Sequence, residues 1–253
     1  GGAVLLLLFF RWRGVDLRVP RGRWLAIAGL ALPNILGWHG LSIVGLSGLP
    51  SGRAAILGFT MPVWTVLVAI LLGEQHLSRR VLISVVAATA AVGLLAAHEL
   101  HALAGQPLAV LWMQGAALSW GLGTVLMRRS QLGMPTESVT VWMMLMGSAC
   151  FWVIAPLYEP FPAVQSLSTG LWWSLLYGVV LNYGYAQVIW FSMAKRLPPS
   201  ASAFSIMAVP VVGTLTATVI VGEVPRASDW AAAACVAVAI AAALLPMRAQ
   251  SRS

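Results

Sequence analysis

Eight apolar runs follow one another along this chain with only short loops between them, each close to the roughly 20 residues that a helix needs to cross about 30 Å of hydrocarbon. They lie at 24–44, 51–72, 81–97, 108–127, 139–157, 171–192, 200–221 and 229–245, after a shorter apolar tail at Gly1 to Phe10. None alternates with a period of two, which excludes an outer-membrane barrel. Of the 253 residues, 60% are hydrophobic and 9% charged, whereas a soluble domain is about 45–50% apolar and about 25% charged. No fold of this length could hide that much apolar surface from water. Lipid is therefore the solvent, and the pattern predicts an all-α integral membrane protein, a helical bundle.

The formal net charge of +8 does not point to nucleic acid, because a nucleic-acid binder gathers its cations on one polar face. Here they sit between apolar runs, and they alternate by side. The loops holding Arg11 to Arg23, Arg79 and Arg80, Arg128 and Arg129, Lys195 and Arg196, and Arg248 and Arg252 carry 13 of the 15 cationic residues, leaving only Arg53 and Arg226 for the other side. The positive-inside rule then places the rich set and the C-terminus in the cytoplasm of an inner (plasma) membrane. One missed span would invert every later loop, so this regularity also supports the count of eight. Cys150 and Cys235 fall inside apolar runs, which leaves no disulfide framework or CxxC metal site. Gly1 to Phe10 lacks the basic flank and cleavage site of a signal peptide, and reads as the end of a longer apolar segment.

The chain also repeats itself. Pro50-Ser51 corresponds to Pro199-Ser200, Met61-Pro62-Val63 to Val209-Pro210-Val211, and Gly73-Glu74 to Gly222-Glu223, at an offset of about 148 residues. Trp24 maps to Trp173, Asn34 to Asn182, and the alanine-rich 85–97 to 231–244. One repeat holds five helices, and because five is odd the second copy lies inverted relative to the first. The expected halves are 1–104 and 105–253, the first lacking one helix and most of a second. This predicts eight complete transmembrane helices and the tail of another, with ten in the intact protein.

The doubled pattern PSGRAAILGFTMPVWTVLVAILLGE and PSASAFSIMAVPVVGTLTATVIVGE, the alanine-rich helix after each glutamate, and LSWGLGTVLMRR at 118–129 together resemble the ten-helix EamA-type branch of the drug/metabolite transporter superfamily. The resemblance covers nearly the whole chain. It implies an inner-membrane carrier of small organic solutes, metabolites or drugs, which works by alternating access and often exports.

A carrier needs a polar-lined interior and moving parts. Pro62 and Pro210 stand in mid-run, where proline removes a backbone hydrogen bond and kinks a helix beside a cavity; the alternative is a static kink. Asn34, Trp38 and Ser42 recur every four residues on one helical face, with His39 adjacent. The matching run of the second half carries Asn182, Tyr183, Tyr185, Gln187 and Trp190. Adding Thr60, Trp64, Ser119, Trp120, Ser205 and Thr214 gives an aromatic cavity with few fixed charges, suited to a neutral, zwitterionic or amphipathic solute. Each tryptophan taken singly is equally an interfacial anchor or a lipid-facing filler. His39 is the single histidine inside a run and a candidate for proton coupling, or else for an interhelical hydrogen bond. Glu74 and Glu223 end their runs at the negative pole of the helix dipole, near Arg79 and Arg80 or Arg226, as gating ion pairs or as solvated charges. Arg53 fits a headgroup-snorkelling role.

Other classes are weaker. Gly45-Leu46-Ser47-Gly48 has the GxSG form of an intramembrane serine protease, but it sits at a run's end and is not repeated. His98-Glu99-Leu100-His101 lacks HExxH spacing, and no GxxxxGK[ST] occurs, so no catalytic residue, metal or cofactor is assigned. A membrane scaffold or receptor is a further alternative. The expected partners are the bilayer, a small solute, a proton and a second copy in a homodimer.

Overall fold

A computed structural model describes residues 1–49, 51–97, 105–160, 167–221 and 227–244. The described residues form helices and no strand. In chain order these are α1 (Gly2–Trp12), α2 (Trp24–Ser47), α3 (Ser51–Gly58), α4 (Met61–Leu71), α5 (Arg79–Ala96), α6 (Pro107–Arg129), α7 (Thr136–Tyr158), α8 (169–196), α9 (Pro199–Ser205), α10 (Ala208–Val221) and α11 (Ala227–Leu244). All eight expected runs are helical. Trp24–Ser47, Ala54–Leu71, Arg79–Ala96, Pro107–Arg129 and Thr136–Tyr158 are long and apolar enough to cross a membrane.

The helix ends follow local chemistry. Ser78 and Ser168 cap α5 and α8, their hydroxyls accepting from the backbone N–H of Val81 and Leu171. Pro107 and Pro199 begin α6 and α9, where the missing N–H costs nothing. Gly73 closes α4 at φ 73°, a left-handed turn that glycine takes without strain.

Two spans are interrupted at matching places. Phe59–Thr60 separates α3 from α4, and Ile206–Met207 separates α9 from α10. The prolines do not kink continuous helices, as the sequence suggested. Each instead sits in the first turn of the half that follows its break, Pro62 in α4 and Pro210 in α10, where proline is tolerated. A second pair of irregularities was not anticipated: α2 is π-helical over Leu32–Gly37 and α8 over Gly178–Ala186. Pro33 is the second residue of the first, and its absent N–H removes a rung of the α ladder. Asn34 and Asn182 lie within these two segments.

At the centre is α6, which touches α2, α3, α4, α8 and α9. Its glycines let backbones approach closely: a Cβ on Gly121 would stand 2.8 Å from the backbone nitrogen of Thr65 in α4. Alanines do the same between α5 and α11, which pack against each other through Ala88, Ala91, Val236 and Ala239. Leucines, valines and tryptophans face outward along the bundle, Leu25 86% and Val153 70% exposed, as lipid contact requires.

Among the described residues, the loops rich in arginine come together at one end. Ser138 donates to the carbonyl of Asp16, the Trp142 indole N–H donates to that of Leu17, and Lys195 reaches Ser130. We expect Gly121→Val to lower the thermal unfolding temperature in detergent, overpacking of this kind costing about 1–3 kcal/mol. Gly93→Ala, which adds a methyl where nothing lies within 4 Å, should leave it unchanged or raise it slightly. Equal stability of the two variants would refute the close approach of α6 to α4.

Candidate functional site

Three tryptophans from three helices form a layer in the interior. Trp120 of α6 lies edge-on to Trp38 of α2, with ring centroids 5.1 Å apart, and tilts against Trp190 of α8 at 5.3 Å. Trp120 and Trp190 are buried, and the indole N–H of Trp190 has no partner among the described residues. Gln187, one turn before Trp190, is buried too.

Beside this layer is the break between α3 and α4. Gln114 of α6 reaches it: its Oε1 lies 2.9 Å from the Trp64 indole nitrogen, which donates to it, and 3.0 Å from the Thr60 hydroxyl. The Thr60 hydroxyl is also within reach of the Leu57 carbonyl at 2.7 Å. A side chain of α6 therefore supplies hydrogen bonds where the helix ladder is interrupted, as a lipid environment demands. At the π segment of α2 the arrangement recurs. Asn34, fully buried, donates its amide to the carbonyls of Leu30 and Gly123, and the Ser119 hydroxyl donates to that of Pro33. The absence of a side chain on Gly123 and Gly37 makes room for these contacts.

His39 and Ser42 turn to the other side of α2. With Tyr183, whose ring centroid is 5.5 Å from that of His39, they line a largely apolar cleft of about 690 Å³ between α1, α2, α7 and α8. Ser42 donates to the carbonyl of His39, and His39 Nε2 is buried with no partner among the described residues. The Ser47 hydroxyl of the GxSG sequence is bonded to Val44 of its own helix.

The structure thus gathers Trp38, Trp120 and Trp190 in one layer, Trp64 and Thr60 around Gln114, and His39 and Ser42 in the cleft. Asn34 sits at the α2–α6 contact. Asn182 and Tyr185 join none of these groups and face outward, Tyr185 65% exposed. Ser205 bonds the carbonyl of Ser202 in its own helix. Glu223 and the 98–101 sequence lie outside the described residues, as do the side chains of Thr214 and Arg53. Glu74 forms an ion pair with Arg129 of α6 at 3.3 Å, a partner that proximity in sequence did not suggest. Gln114 also escaped the sequence reading, although an amide in mid-run is the same signal that singled out Asn34. Gln114→Met should lower the unfolding temperature, because the half-buried Trp64 indole N–H loses its acceptor at a cost of about 1 kcal/mol. Gln114→Glu, measured at a pH low enough to protonate the new acid, keeps a carbonyl acceptor and should lose less; equal losses would mean that the amide oxygen holds nothing.

An all-helical bundle with paired helix interruptions and an aromatic interior is the architecture of a membrane carrier, and the comparisons with known proteins agree. The profile of the EamA-like transporter family matches residues 1–97 and 107–245. The chain belongs to this family, and is a multi-pass membrane transporter of the drug/metabolite transporter superfamily. It is similar to the uncharacterized transporter YoaV of Bacillus subtilis (strain 168), 24% identical over 216 residues that cover 83% of this chain and 72% of that protein. It also resembles the uncharacterized transporter YvbV of the same organism, 25% identical over 223 residues covering 88% and 72%. A solved crystal structure superposes with a TM-score of 0.77 at 23% identity, over 100% of this chain and 86% of that one, and shares its fold.

Proposed function

We propose that the protein is an inner-membrane secondary transporter which exports small organic metabolites or drugs by alternating access, its halves 1–104 and 105–253 being inverted repeats. The observation that carries this reading is the pairing of irregularities: a two-residue break at Phe59–Thr60 and at Ile206–Met207, and a π segment around Asn34 and around Asn182. Breaks at corresponding positions of two halves are where transporters build sites and hinges. Pro62 and Pro210 then mark the hinges of two rocking elements. The basic end is cytoplasmic, by the bias of arginine and lysine among the loops.

The solute is neutral, zwitterionic or amphipathic. Four indoles and an amide are what Trp38, Trp64, Trp120, Trp190 and Gln187 offer it, while the Glu74–Arg129 pair stands at the basic end. His39, in the cleft with Ser42 and Tyr183, couples solute movement to a proton. Glu74 and Arg129 close the cytoplasmic side, with Glu223 as the counterpart of Glu74 in the second half.

The direct experiment is counterflow of labelled aromatic and zwitterionic solutes into vesicles containing the full protein, with and without an imposed pH gradient. Binding without counterflow for every solute would make the protein a receptor or scaffold. His39→Gln is expected to abolish the pH dependence of transport while exchange of solute persists; an unaltered pH profile would remove the proton role. For the gate, Glu74→Arg and Arg129→Glu should each impair transport, and the double swap should restore it. Stability should hardly change in the double swap, since a partly exposed pair contributes about 0.2–1 kcal/mol. No recovery in the double variant would separate the pair from gating.

A further inference from the structure

The C-terminal ends of α4, α6 and α8 converge at the basic end around a polar pocket of about 390 Å³, lined by Glu74, Arg128, Arg129, Gln131 and Lys195. Three cations share it with one carboxylate. Lys195 Nζ donates to the carbonyls of Met127 and Arg128 at 3.3 and 3.4 Å and lies 3.1 Å from the Ser130 hydroxyl. It thereby caps α6 from α8, and Arg128 caps α8 in return through the carbonyl of Leu197. These oxygens carry no formal charge. The negative end of the α6 dipole offsets only about half a unit. Arg129 gives Nε to Glu74 and Nη1 to the Leu72 carbonyl. A guanidinium has five N–H donors, so both arginines keep donors in reserve. Lys195 lies past the apolar stretch of α8, and its ammonium is held below the ordinary lysine range, first by burial and then by the neighbouring Arg128.

We propose that this pocket binds a phosphate-type oxyanion between Arg128, Arg129 and Lys195. Guanidinium forks and an ammonium are the donors that such an oxyanion takes up, with charge-assisted bonds. The ligand would relieve the crowding of like charges at Lys195. The pocket stands where the apolar spans end, at the depth of lipid headgroups, and basic pockets between helices at the cytoplasmic surface hold such groups. The phosphate of an anionic lipid and dissolved phosphate share this chemistry. The site shares Glu74 and Arg129 with the proposed gate and rests on the proposed orientation for its cytoplasmic side, but the labelling of Lys195 tests it without transport.

Lys195 is the one lysine in the 253 residues, so acylation of its amine, followed by peptide mass, reports on this pocket and no other. The full chain is placed in phosphatidylcholine vesicles. Inorganic phosphate is added in one arm; in the other, phosphatidylglycerol replaces part of the lipid, and chloride at equal ionic strength is the control. A rise of one unit in the ammonium pKa lowers the free amine about tenfold, so bound oxyanion should slow labelling by about that factor. Slowing by phosphatidylglycerol alone assigns the site to a lipid headgroup, and slowing by dissolved phosphate assigns it to a free anion. Arg129→Gln should remove most of either effect. Labelling that neither arm slows beyond chloride overturns the proposal, and so does slowing that Arg129→Gln leaves intact.

Discussion

Water is absent from the hydrocarbon core, so every backbone N–H and C=O there must find its partner within the protein. That constraint governs this fold. A regular helix meets it alone, and most of the bundle is regular helix. Where the ladder is irregular, the protein brings in side chains: Thr60 and Gln114 at the break before Pro62, and Ser119 and Asn34 at the π segment that holds Pro33. Four polar residues of the apolar runs, Asn34, Thr60, Gln114 and Ser119, therefore stand where the backbone needs them.

The same constraint explains why α6 is central. Hydrophobic burial gives no drive between helices in lipid, so close packing and interhelical hydrogen bonds must hold them. Gly121 and Gly123 permit the approach; Gln114, Ser119 and the carbonyl of Gly123 make the bonds. Supporting the breaks and seating the neighbouring helices thus fall to one element. The alanine contact between α5 and α11 is simpler, a dry seam of small side chains.

Much of this was legible in the sequence. Span positions were, because length and apolarity fix them: the run expected at 108–127 is helix over Pro107–Arg129, and that at 139–157 over Thr136–Tyr158. The proline pair marked the breaks to within a few residues, though an interruption replaced the expected kink because a proline in the first turn of a new half gives up no bond. The π segments were not legible. A π turn changes the register by one residue and leaves composition untouched, and Gly178–Ala186 holds no proline to announce it. Nor was the Arg129 partner of Glu74, since ion pairs across helix ends depend on which ends converge. The tryptophans could be nominated but not grouped: Trp38, Trp120 and Trp190 meet only because α2 and α8 flank α6.

That indole layer gives the transporter a built-in gauge. Trp38 belongs to the proposed first half, and Trp120 and Trp190 to the second. With ring centroids 5.1 and 5.3 Å apart, their excited states couple strongly, and coupling falls steeply with separation and angle. Any rocking of one half against the other shears the Trp38–Trp120 contact while leaving the Trp120–Trp190 contact within its half. The near-ultraviolet circular dichroism of the unlabelled protein should therefore change with conformational state, which gives a spectroscopic signal of motion without an attached dye.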